Sequence, residues 1–145
     1  MTFRACVVRR TADTFTIGIE PFTTDELPPG DVLIQVAYAA LNYKDALACS
    51  PSGRVAQISP LIPGLELTGT IVASNDPRFA VGSAVLAWDS GRTMGTARHG
   101  GFSEYARVPG EWVFPLPQWF GFKEACLLSG MMGGALALQD RKSVV

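Results

Sequence analysis

The sequence is poor in the residues that form disulfides and bind transition metals. It has one histidine, His99, and three cysteines, Cys6, Cys49 and Cys126, among its 145 residues. The cysteines lie far apart in the sequence, and no C-x-x-C spacing occurs. An odd number of separated cysteines is typical of free thiols rather than of a disulfide framework or a zinc motif. We therefore expect a reduced protein whose core forms without cross-links.

Charge is also scarce, and neither sign dominates. Charged residues make up 17% of the chain, with 12 basic and 13 acidic side chains and a net charge of −1. A nucleic-acid-binding domain normally has a clustered basic excess, so we expect no nucleic-acid partner. No apolar run reaches the roughly 18–20 residues that span a bilayer, and the N-terminus lacks an apolar signal segment. These absences predict a cytoplasmic protein that makes no membrane contact.

The sequence does contain many short segments with the period-two alternation of β-strands. Asn42 is well placed to cap a short helix from Tyr43 to Ala48. Pro21 to Gly30 and Ser50 to Pro60 contain prolines and glycines that are typical of loops. Seven or eight strands with a turn every eight to twelve residues favour a sandwich or a barrel. The predicted strands are Phe3 to Val8, Phe15 to Ile19, Val32 to Ala39, Leu67 to Ser74, Val85 to Trp88, Gly101 to Val108 and Trp112 to Pro115.

The last part of the chain has a different pattern. Strand signals stop, and alanine, leucine and methionine dominate from Phe122 to Leu138, which predicts a helix of four to five turns. This helix is apolar nearly all round, so we expect it to be buried on several sides.

Two polar clusters at chain reversals are the best candidates for chemistry: Asn42-Tyr43-Lys44-Asp45 after the third strand, and Pro63-Gly64-Leu65-Glu66 before the fourth. Glu66 lies in an apolar run, where a carboxylate must find a partner or stay protonated. We predict a structural ion pair for Glu66 rather than an acid–base role. Its candidate partners are Arg54, Arg78 and Lys44.

Together with Arg78–Val85 and Gly100–Tyr105, these clusters resemble, in order, four motifs of the medium-chain dehydrogenase/reductase superfamily. The similarity is to its zinc-free branch of NADPH-dependent quinone oxidoreductases and acryloyl-CoA reductases. The resemblance implies a mainly β (α+β) fold, a GroES-like, partly open β-barrel with short helices and a C-terminal apolar helix. Residues 1–118 would form the barrel, and residues 119–145 would form a linking helix and the start of a truncated dinucleotide-binding domain.

The resemblance also implies a site. Asn42, Tyr43, Lys44 and Asp45 would lie beside the nicotinamide and the substrate carbonyl as catalytic residues, with Asn42 and Tyr43 also contacting the cofactor. The Tyr43 hydroxyl or the Lys44 ammonium could stabilise charge that develops on the substrate oxygen. The structural alternative is a capping Asn42, a backbone-binding Asp45 and a solvated Lys44. Where zinc-dependent relatives keep ligands, this chain has Asn42 and Leu65, so we expect no metal.

The cofactor predictions follow from a missing motif. No G-x-G-x-x-G follows a strand, and that loop is what places a pyrophosphate on a helix N-terminus. We therefore expect the barrel half of an NADPH-dependent reductase of quinones or enoyl thioesters, which binds no cofactor alone and is inactive alone. The alternative is a stand-alone binding or assembly module. The expected partner is a second copy, forming a dimer through Phe122–Leu138, or a separate nucleotide-binding chain.

Overall fold

The structure, a computed structural model, describes residues 1–127. These residues form a mainly β protein with two short α-helices, the first from Tyr43–Ala48 (α1) and the second over residues 122–127. A single turn of 3₁₀-helix spans Gly110–Trp112. The strands are β1 Thr2–Arg10, β2 Phe15–Thr23, β3 Val32–Ala39, β4 Glu66–Ser74, β5 Ala84–Trp88, β6 Tyr105–Val108 and β7 Val113–Pro115.

The strands are arranged in two antiparallel sheets. β1 and β2 form a hairpin, and the other five are ordered β6-β3-β4-β5-β7. Two isolated bridges, Ala5 to Ser103 and Val8 to Leu61, fasten the hairpin to the rest of the molecule. The predicted mainly β fold is thus confirmed. Among residues 1–127, however, no ladder joins the sheets into a closed barrel.

The largest core cluster lies on one face of the five-stranded sheet. Most of its members alternate along the strands, as expected for a sheet with one face buried, and Phe79 and Met94 join them from outside the strands. Smaller clusters lie under the hairpin and beside α1. The main cluster contains Val32, Ile34, Leu67, Ile71, Phe79, Val85, Ala87, Met94, Ala106, Val108 and Val113.

Most predicted elements are found close to their expected bounds, and β3 and α1 match them at both ends. One difference is β2, which continues through Pro21 to Thr23 where a loop was predicted. Pro21 lies opposite Arg4, whose N–H and C=O bond to Glu104 on the far side of β1. No N–H group is therefore needed at Pro21 to bond to β1, so this edge strand tolerates the proline.

A second difference is β6, which begins at Tyr105 rather than at Gly101. The N–H groups of Gly101 and Phe102 bond to the oxygens of Gly64 and Pro63, at 3.0 and 2.9 Å. Residues 101 and 102 therefore bond to this loop, and residues 102–104 bond to β1 before β6 begins. Of the predicted Phe122 to Leu138 helix, residues 122–127 are helical, and the remainder lies outside the described residues. Within residues 1–127, no helix has the length and apolarity that crossing a bilayer requires.

Candidate functional site

The turn between β3 and α1 holds the first polar cluster. Asn42 is the N-cap of α1, with an extended backbone, and Asp45 lies in the helix's first turn. The Asp45 Oδ2 atom accepts the Asn42 N–H at 2.8 Å, which is the reach-back bond of a capping box. This bond satisfies a donor that the helix itself leaves unpaired.

Asp45 also joins the two polar clusters to each other. Its other oxygen, Oδ1, accepts the N–H of Gly64 at 3.0 Å, and the carboxylate interacts with the Leu65 N–H as well. The side chain is fully buried. Burial raises the pKa of Asp45, while the N–H groups around it act in the opposite direction. Asp45 thus lies behind the turn, where it positions the residues on either side.

Glu66 is buried at the start of β4, as predicted, but its partner differs from the prediction. The Asn42 Nδ2 group donates to Glu66 Oε1 at 3.0 Å. Arg78 pairs instead with Asp76, and the Lys44 ammonium donates to a backbone oxygen. No salt bridge within residues 1–127 includes Glu66. The predicted ion pair is therefore replaced by a hydrogen bond to an amide, because the side chain that reaches Glu66 is that of the helix cap.

Close backbone contacts hold the loop of residues 62–64. Gly64 has φ +106°, and a Cβ atom on it would lie 2.6 Å from the N atom of Gly101. A Cβ atom on Gly100 would lie 2.1 Å from the Gly64 oxygen. Glycine is needed at both positions because the two loops approach at backbone distance. The Gly100-Gly101 pair therefore packs directly against the loop of residues 62–64.

His99 supports the same loop from the other side. Its Nδ1 atom accepts the N–H of Ile62 at 3.2 Å, and its ring packs edge-on against Phe22 with centroids 5.2 Å apart. Burial lowers the pKa of His99, so the neutral imidazole with its proton on Nε2 is favoured. His99 is thus a partly buried side chain with a structural role.

The remaining two residues of the first cluster face solvent. The Tyr43 side chain is 79% exposed, and Lys44 is exposed as well. The Lys44 Nζ atom donates to the oxygen of Gly91 at 2.8 Å. An ammonium group has three donors, so two remain for a ligand. The structure therefore brings Asn42, Asp45 and Glu66 together inside and leaves Tyr43 and Lys44 outside.

Sequence reasoning missed a third buried carboxylate, Asp89, beside this site. It follows β5 and accepts the N–H groups of Arg92 at 3.0 Å and Met94 at 2.8 Å, with Thr93 also bonded to it. The bonds fix the loop whose Gly91 oxygen receives Lys44. An aspartate followed within a few residues by serine and glycine is a turn signal that could have identified it.

The start of the second helix packs beside the same buried face. Thr68 Oγ1 donates to the Phe122 oxygen at 2.9 Å. Cys126 is buried close to Thr68, Glu66 and the Ala40 backbone, and burial raises the pKa of its thiol. The first turns of the second helix therefore pack beside Glu66 and Thr68.

The donor set does not suit zinc, since Asn42 and Leu65 offer neither a thiolate nor an imidazole. Within residues 1–127, no three histidine, cysteine or carboxylate side chains are grouped as metal ligands. Tyr43 and Lys44 instead offer exposed hydrogen-bond donors, which suit an oxygen acceptor.

Known proteins share both the sequence pattern and the fold of this chain. The profile of the alcohol dehydrogenase GroES-like domain family matches residues 28–118. The Bacillus subtilis protein "Putative quinone oxidoreductase YhfP" is 44% identical over 136 residues, which is 94% of this chain and 40% of that protein. "Probable acrylyl-CoA reductase AcuI" of Escherichia coli is 42% identical over 111 residues, which is 77% of this chain and 34% of that protein.

Solved structures agree with these matches. The crystal structure of Bacillus subtilis yhfP with NAD bound superposes with a TM-score of 0.80 over 87% of this chain and 38% of that one, at 44% identity. The yhdH oxidoreductase of Salmonella enterica in complex with NADP also gives 0.80, at 34% identity, over 88% of this chain and 38% of that one. The matches thus span between 34% and 40% of the length of these relatives.

Proposed function

The chain belongs to the alcohol dehydrogenase GroES-like domain family of the medium-chain dehydrogenase/reductase superfamily, and we propose that it forms the substrate side of a reductase of quinones or enoyl thioesters. One observation carries the proposal. The exposed Tyr43 and Lys44 stand on a turn whose inner side, Asp45 and Glu66, is fixed by hydrogen bonds. Rigid support behind exposed donors is what an electrostatic catalyst requires.

The chemistry divides between this chain and its cofactor. A bound nicotinamide cofactor supplies the hydride. As the hydride adds to a quinone or an enoyl thioester, negative charge develops on the carbonyl oxygen. The Tyr43 hydroxyl and the Lys44 ammonium stabilise that charge by donating hydrogen bonds. Asp45 and the Asn42–Glu66 bond hold the two donors in place without contacting the substrate.

The 145 residues are inactive alone in this proposal. Hydride transfer needs the nicotinamide within about 3–3.5 Å of the acceptor, and this sequence has no glycine-rich loop after a strand to hold the pyrophosphate. The nucleotide-binding side would come from further sequence or from another chain.

The decisive experiment fuses this chain to the part of Bacillus subtilis YhfP that it does not match. NADPH oxidation is followed with 1,4-benzoquinone and with acrylyl-CoA. We expect turnover by the fusion and none by the 145 residues. Turnover by the 145 residues alone would contradict the division of labour. A folded fusion that binds NADPH and reduces neither acceptor would contradict the proposal that this chain forms the substrate side of the reductase.

Site variants of the fusion test the two donors. Replacing Tyr43 with phenylalanine, or Lys44 with methionine, should lower kcat by about tenfold to a hundredfold, because each removes a donor to the developing charge. Tyr105→Phe is the matched control, since Tyr105 packs against Phe3 in another cluster. Equal kcat values for Tyr43→Phe, Lys44→Met and the control would show that neither the Tyr43 hydroxyl nor the Lys44 ammonium stabilises the developing charge.

The partner surface is proposed to include the second helix. Leu127 is 66% exposed, and it follows Cys126, which lies beside the Ala40 backbone just before the exposed Leu41. A nucleotide-binding partner would cover these apolar side chains. The alternative function, a stand-alone module that self-associates through this helix, uses the same surface. Weaker self-association of Leu127→Lys in sedimentation would support that alternative.

A further inference from the structure

The outer edge of β2 has backbone groups that bond to nothing within residues 1–127. Cys6 and Val8 of β1 donate their N–H groups to oxygens on the side away from β2. Their partners in β2 are Ile19 and Ile17. In an antiparallel pair, opposite residues direct their polar groups either both inward or both outward. The N–H and C=O groups of Ile17 and Ile19 therefore point away from β1.

The side chains of this edge are exposed as well. Ile17 is 47% and Ile19 69% exposed, and no charged residue occurs from Thr14 through Ile19. Natural edge strands are normally protected by charge, proline or a covering loop. Here the proline comes only at Pro21, beyond the uncharged segment. The apolar segment of the edge can therefore accept another strand, whereas Pro21 has no N–H group to donate to one.

We propose that β2 pairs with β2 of a second copy of this chain, antiparallel and about a two-fold axis through Ile17. This pairing places Ile17 opposite its own copy and Phe15 opposite Ile19 of the other copy. All three residues lie two apart and point their polar groups outward, so each can donate and accept one bond. The two hairpins become one four-stranded sheet.

The register follows from the proline. An axis through Gly18 would place Pro21 opposite Phe15 and leave the Phe15 oxygen without a donor. The axis through Ile17 keeps Pro21 outside the paired core, opposite Asp13 in the hairpin turn. Only this second arrangement lets every outward group from Phe15 to Ile19 bond.

A second copy fits this edge because the segment is complementary to itself. Phe15, Ile17 and Ile19 share one face of the strand, so the dimer aligns six apolar side chains in a row. The nearest charge on β2, Glu20, is already paired with Arg9 at 2.8 Å. No like charges are placed opposite each other. Two-fold pairing also uses both open edges at once and forms a closed dimer.

The test is sedimentation of the full 145-residue chain from micromolar to high micromolar concentration. Wild type should form a dimer, and Ile17→Lys should weaken it by roughly tenfold or more, because two ammonium groups would meet at the axis. Val81→Lys is the matched control. Val81 is 65% exposed in the turn before β5, outside every strand, so its dimer should match the wild type.

Two further measurements separate this edge from the second helix and from misfolding. Leu127→Lys should leave the dimer unchanged, since Leu127 is far from β2 in the sequence and lies in no strand. In the wild type, exchange of the Ile17 and Ile19 amide hydrogens should slow as concentration rises. A monomer throughout the range, unchanged association in Ile17→Lys, or loss of the dimer in Leu127→Lys alone would each overturn the proposal.

Discussion

The two sides of the turn at Asn42–Asp45 have opposite character. On the inner side, Asp45 and Glu66 are buried and accept hydrogen bonds from backbone or amide groups. On the outer side, Tyr43 and Lys44 are exposed, although they lie between Asn42 and Asp45 in the sequence. Neighbouring residues of one motif can therefore have different roles, some structural and some functional. Changes on the inner side should cost folding free energy, and changes on the outer side should cost activity.

The largest effect is expected at Gly64, behind the inner side. An alanine there combines φ +106° with a Cβ atom 2.6 Å from the Gly101 nitrogen. Gly64→Ala should lower the free energy of unfolding by about 2–5 kcal/mol, from left-handed strain plus overpacking. Gly82→Ala is the control, since Gly82 has φ +88° with open space around its Cβ position, and should cost about 1–2 kcal/mol. Urea unfolding that gives equal losses would contradict the close approach of the loops.

The next largest effect is expected at Asp45. Asparagine keeps one acceptor but turns an NH₂ group toward a backbone N–H, which leaves buried donors unpaired. Asp45→Asn should therefore cost about 2–3 kcal/mol in urea unfolding. Asp13→Asn in the exposed hairpin turn should change stability by less than about 0.5 kcal/mol. A stable Asp45→Asn variant that loses activity in the fusion would show that Asp45 acts in catalysis.

These interactions also show what the sequence alone could predict. The hydrophobic alternation of β3 and the capping position of Asn42 are local patterns, and both elements appeared at their predicted bounds. The strand through Pro21 was missed because its tolerance depends on which way Arg4 bonds across β1. This bonding direction depends on residues far apart in the sequence. Local patterns predict where strands and helices form, whereas strand register determines whether a strand can continue through a proline.

The same limit applies to the site. The sequence could identify Asn42, Asp45 and Glu66 as polar residues in apolar surroundings, and the structural alternative for Asp45 was already open. It could not predict that the Asn42 amide reaches Glu66 across 24 residues. Asp89 was missed because its bonds are to the loop that follows it, in a segment without periodicity. Whether Tyr43 and Lys44 act in catalysis stays a prediction.

A pH-dependent effect is expected at His99, which also supports the loop of residues 62–64. Burial lowers its pKa below the usual value near 6.5, so between those two values the unfolded chain binds more protons than the folded chain. Stability should therefore fall as pH is lowered from about 7.5 to about 5.5. His99→Asn keeps an acceptor near the Nδ1 position without the titration, so its stability should fall less over that range. Parallel curves for the two proteins would mean that His99 does not titrate with folding.

The smallest effect is expected at Glu66, and it separates the predicted ion pair from the observed amide bond. Glutamine retains an oxygen that can accept from Asn42 Nδ2, so Glu66→Gln should cost about 1 kcal/mol or less in urea unfolding. A buried cation left without its carboxylate would instead cost about 3–5 kcal/mol. Asn42→Ala removes the donor and leaves Glu66 buried without its amide partner, so it should cost more than Glu66→Gln. If Glu66→Gln is the more damaging change, Glu66 has a charged partner and the inner side of the turn is held by an ion pair.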